Sequence, residues 1–267
     1  IPKRDWSSDV CSSDLKWIIF KYFVVTVTIL KHNMKNKPLS REFLLKRGFC
    51  CKNGCLNCPY KMNNTVELLG YYGSDEIIAC SAWTSTSRDL TEEKKERIPK
   101  LINMLWSEGH ETPFEKGTVH FLVNCDIASH IHLLKHRIAS INAESARYKE
   151  LKEDKMYVPK DWTEHWQDNL ISFTDMSNTL YHKCLADLTP ILGRKRAKES
   201  ARFFKTYNSQ IQADVMFNMR SFANFLKLRM SEHAQVEIRD IATQMFQLVR
   251  DIPESPFKHT LDAWKLN

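Results

Sequence analysis

The chain has 267 residues, of which 43% are hydrophobic and 27% charged, with only 7 glycines and 9 prolines. This composition is typical of a folded globular protein, and it excludes a collagen-like, low-complexity or wholly disordered chain. The formal net charge is +7, but the excess lies in residues 16–62, which carry ten basic residues and one acidic residue. Since residues 63–267 carry 27 basic and 28 acidic residues, the charge does not predict nucleic-acid binding by this main part.

Residues 1–33 are predicted to be unstructured and foreign to the native protein. The run DWSSDVCSSDL at residues 5–15 resembles a translated sequencing adaptor, and we exclude it from the fold. The apolar run at residues 17–30 has 14 residues, which is too short for a helix that crosses a bilayer. We therefore expect translated upstream DNA and no membrane segment, with a packed strand or a membrane-associated segment as alternatives. Met34 is a candidate start of the native chain.

Residues 34–62 are predicted to form a separate cysteine-rich unit. The run FCCKNGCLNCPYK places four cysteines within nine positions, namely Cys50, Cys51, Cys55 and Cys58. A turn at Gly54 followed by C-x2-C is typical of loops that aim thiolates at one metal, so zinc or an iron–sulfur centre is a candidate ligand. The run also resembles a family of short, cysteine-rich proteins. Incidental thiols, or a basic knuckle that binds nucleic acid beside a scaffold domain, are the alternatives.

From residue 63 onward the chain is predicted to form one α+β domain. Residues 66–69, 117–124 and 211–217 show the alternation of strands, and long helices occupy most of the rest. Asp126 is a candidate cap of one helix. The helical stripes are expected to be core; they include Ile127, Ile131 and Leu134 on the first helix, and Trp162, Trp166, Leu170, Phe173, Leu180, Cys184 and Leu188 on a long one.

Three cysteines in this domain, Cys80, Cys125 and Cys184, are predicted to be reduced thiols of a cytoplasmic protein. The sequence contains no GxGxxG or Walker motif, so neither standard nucleotide cradle is available. The chemistry must therefore come from other polar groups.

The densest run of such groups is residues 132–148. Its KHR motif at residues 135–137 follows a predicted helix, where cations favour the macrodipole without any ligand. Ser145 and Arg147 carry donors that suit phosphate or carbonyl oxygens, although a polar surface loop is the alternative.

Two further segments repeat this chemistry. The motif HETPFE at residues 110–115 ends one helix, and a later helix carries Asn218, Arg220, Asn224 and Arg229. Asn224 follows Arg220 by four residues, so both lie on one face of that helix. A face of Asn and Arg without nearby acids is typical of an anion site, with a solvated face as the alternative.

Together these blocks resemble a known family. KHR followed by seven residues and Ser145 is similar to the RHR-x7-S signature of flavin-dependent thymidylate synthases. HETPFE, SARY, NMRSFANFLKLR and EHAQVEIR resemble the other blocks of that family in order and spacing, over about residues 66–257. The resemblance implies long helices on a small, mostly antiparallel sheet and a homotetramer whose active sites combine several chains.

The resemblance also implies a reaction, the reductive methylation of dUMP to dTMP. Methylenetetrahydrofolate would be the carbon donor, and FAD reduced by NADPH and held between subunits would be the hydride donor. No cysteine lies in the matching blocks, so Ser145 is expected to bind substrate rather than act as a nucleophile.

Position by position, the resemblance assigns roles to individual residues. The residues that match the flavin contacts are Thr112, Glu115, Lys135, His136, Arg137, Asn218, Arg220 and Asn224. Those that match the dUMP contacts are His132, Lys135, Glu144, Ser145, Arg147, Arg202 and Arg229. Arg229 is the expected catalytic residue, because its guanidinium can stabilise negative charge on the uracil ring and raise the nucleophilicity of carbon 5.

Four positions depart from the family pattern. Lys135 replaces an arginine, His132 a glutamine, Ala143 a glutamate, with Glu144 next to it, and Trp83 an arginine. Because Arg147, Arg202 and Arg229 are unchanged, we expect a divergent but active enzyme. A flavin-binding homologue without catalysis is the alternative.

Overall fold

The structure is a computed structural model of the chain, and it describes residues 63–266. The adaptor-like run and the four clustered cysteines lie outside the described residues. The predictions made for those segments therefore stay predictions.

Four strands form one antiparallel sheet in the order β1-β2-β4-β3. Their bounds are Thr65–Tyr72 for β1, Thr118–Asp126 for β2, Ser140–Ala143 for β3 and Gln210–Asn218 for β4. The three predicted strands are confirmed, whereas β3 was not predicted. At the centre, Phe121 pairs with Val215, and both are fully buried on the face that meets the helices.

Within residues 63–266 the chain also forms eight α-helices and two short 3-10 turns. The helices are α1 Asp75–Trp83, α2 Glu92–Ser107, α3 Ile127–Leu133, α4 Glu164–Leu192, α5 Arg194–Ala201, α6 Met219–Arg229, α7 Val236–Arg250 and α8 Lys258–Trp264. The first 3-10 turn is Thr112–Lys116 and the second is Arg202–Phe204. The predicted α+β fold is confirmed.

The main core lies between the sheet and the helices that cover one of its faces. Phe222 and Phe225 of α6 are fully buried, and the ring of Phe225 lies 5.1 Å from that of Phe217 on β4. The expected cap of α3 is confirmed, because the Asp126 carboxylate accepts a hydrogen bond of 2.8 Å from the backbone N–H of Ser129. Packing of α6 on the sheet therefore fixes where the polar side of α6 points.

Two glycines allow a close approach at the edge of this core. A Cβ added to Gly73 would lie 2.9 Å from the Cα of Gly117. A Cβ added to Gly117 would lie 2.9 Å from side-chain atoms of Met219 and of Phe257. The backbone N–H of Met219 donates to the Gly117 carbonyl at 2.9 Å, which joins the end of the first 3-10 turn to the start of α6.

The expectation that all the helical stripes are core is wrong for α3 and α4. On α3, Ile131 and Leu134 are exposed, whereas His130 and Leu133 are buried. On the long helix α4, Cys184 and Leu188 of the predicted stripe are partly buried, but Trp166, Phe173 and Leu180 are exposed. The buried residues of α4 are Thr174, Ser177, Asn178, Tyr181 and Leu185.

Polar residues can occupy the buried face of α4 because they find hydrogen-bond partners in the segment that follows α5. The Thr174 hydroxyl lies 3.2 Å from Asn208 Oδ1, and the Ser177 hydroxyl donates to the carbonyl of Phe204. The aromatic stripe is left exposed, with Trp166 at 60% and Phe173 at 55% of their accessible surface. In residues 63–266 no helix is long and apolar enough to span a membrane.

Candidate active site

An open cleft of about 660 Å³ lies along the polar side of α6. It contains seven of the eight residues predicted to contact flavin, which are Glu115, Lys135, His136, Arg137, Asn218, Arg220 and Asn224, together with the predicted catalytic residue Arg229. Thr112 does not line the cleft; it is exposed on the same 3-10 turn as Glu115.

Strand pairing brings these distant segments together. Thr118, the first residue of β2, pairs with Asn218, the last residue of β4. The first 3-10 turn ends just before β2, and α6 begins just after β4, so the two polar segments become neighbours. Asn218 also caps α6, since its side-chain oxygen accepts a hydrogen bond of 2.8 Å from the N–H of Ser221.

The charge of the cleft is mainly positive. Its cations are Lys135, Arg137, Arg220, Lys227 and Arg229, whereas its carboxylates are Glu111 and Glu115. Both carboxylates bind one arginine: Arg220 donates from Nε to Glu111 and from Nη1 to Glu115, each at 2.8 Å. The expectation that this face lacks nearby acids is wrong, because the sheet register carries the acids of HETPFE to it. The other four cations of the cleft do not pair with Glu111 or Glu115, and their positive charge favours an anionic ligand.

His136 and Arg229 form a direct contact in the cleft. The Nε–H of Arg229 donates to His136 Nε2 at 2.9 Å. His136 is 9% exposed, and its imidazole packs edge-on against Phe225, with 4.9 Å between the ring centroids. Burial, the charge of Arg229 and the neighbouring His132 lower the pKa of His136 to about 4, so the ring is neutral at pH 7.

Most of the predicted dUMP residues lie outside the cleft. We refer to three of them, Ser145, Arg147 and Arg202, as the second surface. Arg147 follows β3 and donates from Nε to Glu199 on α5, while its backbone N–H bonds to the Ser145 hydroxyl at 3.3 Å. Arg202 lies on the second 3-10 turn, directly after α5, and is exposed. Ser145, Arg147 and Arg202 are all absent from the lining of the cleft. Within one chain, the predicted site therefore consists of two separate groups of residues, one in the cleft and one outside it.

The positions that depart from the family pattern have local partners. His132 Nε2 donates to Gln235 Oε1 at 3.1 Å, just before α7. The Glu144 carboxylate accepts the backbone N–H of Gln212 at 3.2 Å and also pairs with Lys149. Glu144 is thus held at the end of the sheet and does not line the cleft.

Two further departures, Ala143 and Trp83, also lie outside the cleft lining, whereas the fourth, Lys135, lines the cleft. Ala143 pairs with Ala213 inside the sheet. Trp83 lies at the end of α1, with the ammonium of Lys94 5.2 Å from its ring. Neither change removes a group from the polar side of α6.

Sequence reasoning missed the acceptors that hold the arginines. Glu111 stands next to Thr112 in the HETPFE motif, and Glu199 stands three residues before Arg202. A search for an acid to pair with each predicted ligand arginine is the signal that could have found them. In residues 63–266 no group of three or more His, Cys, Asp or Glu side chains could hold a metal ion.

Comparison with known proteins places these observations in a family. Residues 67–254 match the family described as thymidylate synthase complementing protein, and residues 37–64 match a family of unknown function, DUF5522. The flavin-dependent thymidylate synthase of Pseudothermotoga lettingae is 34% identical over 197 residues, which are 70% of this chain and 85% of the relative. The corresponding protein of Clostridium tetani is 28% identical over 220 residues, 74% of this chain and 87% of the relative.

A solved structure agrees with this assignment. The UMP/dUMP methylase PolB from Streptomyces cacaoi, bound with 5-Br dUMP, matches with a TM-score of 0.65 and 25% sequence identity, covering 77% of this chain and 98% of PolB. The fold, the ordered motifs and the match over most of the chain show that the protein belongs to the thymidylate synthase complementing protein family.

Proposed function

We propose that the protein is a flavin-dependent thymidylate synthase, which converts dUMP to dTMP with methylenetetrahydrofolate as the carbon donor and NADPH as the reductant of FAD. The observation that carries this proposal is the composition of the cleft. Seven residues that match flavin contacts come from three separate segments of the chain and line one cavity beside Arg229. Family membership and the curated relatives support the same reaction.

The residues of the cleft fit a flavin dinucleotide. Its pyrophosphate is anionic, and Lys135 and Arg137 supply positive charge, while Asn218 and Asn224 supply amide donors and acceptors. When bound, FAD supplies the hydride chemistry that no side chain can supply. Arg229 then contacts the pyrimidine, where a fixed guanidinium stabilises negative charge on the uracil ring as carbon 5 becomes nucleophilic.

The second surface supplies the phosphate ligands in this proposal. Arg147 and Arg202 can neutralise a dianionic phosphate, and the Ser145 hydroxyl can donate to it. Because these residues do not line the cleft of their own chain, a neighbouring copy in a homotetramer completes each site. The exposed aromatic stripe of α4 supports such an assembly, since large apolar patches on a single chain are usually covered.

The domain boundaries form part of the proposal. Residues 63–267 constitute the synthase domain, and residues 34–62 constitute the separate cysteine-rich unit, most of which falls within the match to DUF5522 at residues 37–64. Residues 1–33 are assigned to translated adaptor and upstream DNA.

The proposal is tested by measuring flavin content and activity of the purified full-length protein. It is expected to be yellow with bound flavin, to release tritium from dUMP labelled at carbon 5, and to rescue a thymidine-requiring bacterium. Folded protein that stays colourless and cannot be loaded with FAD would overturn the proposal. Since PolB is a UMP/dUMP methylase, the assay includes labelled UMP, and turnover of UMP but not dUMP would overturn the choice of substrate.

The site is tested by replacing Arg229 with alanine. Loss of the guanidinium is expected to lower the rate of tritium release by roughly 10²- to 10³-fold, while flavin content changes little, because the other lining residues remain. Arg250→Ala is the matched control, since Arg250 lies outside the cleft and its side chain is 57% exposed. Equal loss of turnover and flavin in Arg229→Ala would mean that Arg229 is a flavin ligand only.

A second candidate is a flavin-binding homologue without catalysis. The observation that favours it is the engagement of the Glu144 carboxylate, which accepts the backbone N–H of Gln212 and pairs with Lys149. This candidate predicts yellow protein that never releases tritium from labelled dUMP.

A further inference from the structure

The contact between Arg229 and His136 differs from the other arginine contacts of the two surfaces. Arg220 donates from Nε to the carboxylate of Glu111, and Arg147 donates from Nε to the carboxylate of Glu199. Arg229 donates from Nε to an imidazole nitrogen instead. A carboxylate cancels much of the charge of the guanidinium it binds, whereas a neutral acceptor leaves that charge intact.

The hydrogen bond also determines where the imidazole carries its proton. Arginine is always a donor, so His136 Nε2 must be unprotonated, and the neutral ring carries its proton on Nδ1. The ring has little freedom to turn, because it is buried and its edge packs against Phe225. The acceptor for Arg229 is therefore fixed in both position and protonation.

We propose that His136 is a positioning residue for Arg229, in addition to its predicted contact with flavin. Its Nε2 holds the guanidinium through Nε, so that both terminal nitrogens and the full positive charge of Arg229 serve the ligand in the cleft. This inference rests on the proposed function, because it assumes that Arg229 acts on the pyrimidine nucleotide.

Two isosteric substitutions separate the two roles of His136. In His136→Gln the side-chain amide reaches the place of Nε2 and offers an oxygen to Arg229, but the Nδ1 proton is lost. In His136→Asn the amide lies near the place of Nδ1, and the acceptor for Arg229 is lost. A residue that only contacts flavin would therefore tolerate asparagine better, whereas a residue that positions Arg229 tolerates glutamine better.

The readouts are the dissociation constant of dUMP, the turnover number and the flavin content of the full-length holoenzyme. We expect His136→Gln to bind dUMP within about 3-fold of the unsubstituted protein and His136→Asn to bind roughly 10-fold or more weakly, the usual effect of losing a hydrogen bond to a charged group. In an Arg229→Ala background the two substitutions should give equal dUMP affinity. Equal affinity already in the Arg229 background, or the opposite order, overturns the inference.

A measurement on the unsubstituted protein needs no variant. The nitrogen NMR spectrum of protein labelled with ¹⁵N-histidine should show His136 with a proton on Nδ1 alone at neutral pH. A proton on Nε2 would overturn the inference even if the variants failed to fold. Failure of the unsubstituted protein to bind dUMP would overturn the proposed function. The NMR measurement does not depend on dUMP, so it tests the contact between His136 and Arg229 separately from that outcome.

Discussion

At the scale of single residues, Arg147 and Arg229 are both held through Nε, although their acceptors differ in charge. Each donates from Nε to one acceptor, Glu199 for the first and His136 for the second. A planar guanidinium that is held through Nε keeps a pair of N–H groups in a fixed direction, which favours bidentate contact with a phosphate or a carbonyl oxygen. Because this orientation exists before the ligand binds, less entropy is lost on binding.

For Arg147 this arrangement predicts a substrate effect. Arg147→Lys keeps the charge but loses the fork, so the KM for dUMP should rise by about 10-fold while kcat changes little. The control is Arg194→Lys on α5, because Arg194 also pairs with a carboxylate, Glu150, at 2.7 Å, yet has no predicted ligand role. Steady-state kinetics with varied dUMP measure both, and an unchanged KM in Arg147→Lys would remove Arg147 from the phosphate site.

His136 predicts a dependence of stability on pH. Its pKa falls from an unfolded value of 6.5 to about 4, so the folded protein binds fewer protons than the unfolded chain between these values. Its contribution is therefore present above pH 6.5 and is lost as the pH falls towards 4. Between pH 7 and pH 5 the free energy of unfolding should fall by about 1–2 kcal/mol more in the unsubstituted protein than in His136→Gln. Urea denaturation at both pH values tests this, and parallel losses would contradict it.

The identities of the cleft residues could be predicted from the sequence, but their partners could not. Asn224 and Arg220 share a helical face, and four-residue spacing is enough to predict that. The contact of Arg220 with Glu111 spans 109 positions of the chain, and it depends on the register of β2 and β4. Local patterns do not contain that register.

At the scale of elements, Asp75 anchors the last helix. This buried carboxylate at the start of α1 accepts the backbone N–H of His259 at 2.7 Å and the hydroxyl of Thr260 at 2.6 Å, both in α8. Burial raises the pKa of Asp75 in spite of these donors. The contact joins two helices that are separated by most of the domain.

Removal of this anchor should destabilise the fold. Asp75→Ala leaves N–H groups of α8 without an acceptor, and the loss in free energy of unfolding should be about 2 kcal/mol or more. Asp262→Ala is the control on the same helix, because its pair with Lys258 is exposed and should contribute less than about 1 kcal/mol. Thermal and urea denaturation compare the two, and equal effects would mean that Asp75 does not anchor α8.

Two elements show where sequence patterns mislead. β3 has four residues, of which Ile141 and Ala143 alone are apolar, so its alternation is too short to stand out in a polar segment. On α4 the apolar stripe was expected to mark the core, but the buried face carries Thr174, Ser177 and Asn178. Periodicity predicts that a helix has an apolar face; it does not predict which chain covers that face.

At the scale of the whole molecule, the uncovered stripe of α4 predicts assembly. Phe173→Glu places a charge in the proposed contact between copies, and it should shift the protein to a smaller species in sedimentation experiments. Turnover should fall when the assembly is lost, because in the proposed homotetramer the cleft of one copy then separates from the second surface of another. Thr179→Glu is the control, since Thr179 is exposed on another face of the same helix. Unchanged mass in Phe173→Glu would exclude this face as the contact.

The close contacts at Gly73 and Gly117 limit which substitutions the fold tolerates at these two positions. At Gly117 even a methyl group would collide with Met219 and Phe257, and at Gly73 it would collide with the backbone of Gly117 itself. An alanine at position 117 would have to displace the side chains of Met219 and Phe257, and an alanine at position 73 would have to displace the backbone at the end of the first 3-10 turn. We therefore expect Gly73→Ala and Gly117→Ala to lower the thermal midpoint of unfolding, although every residue that lines the cleft is unchanged.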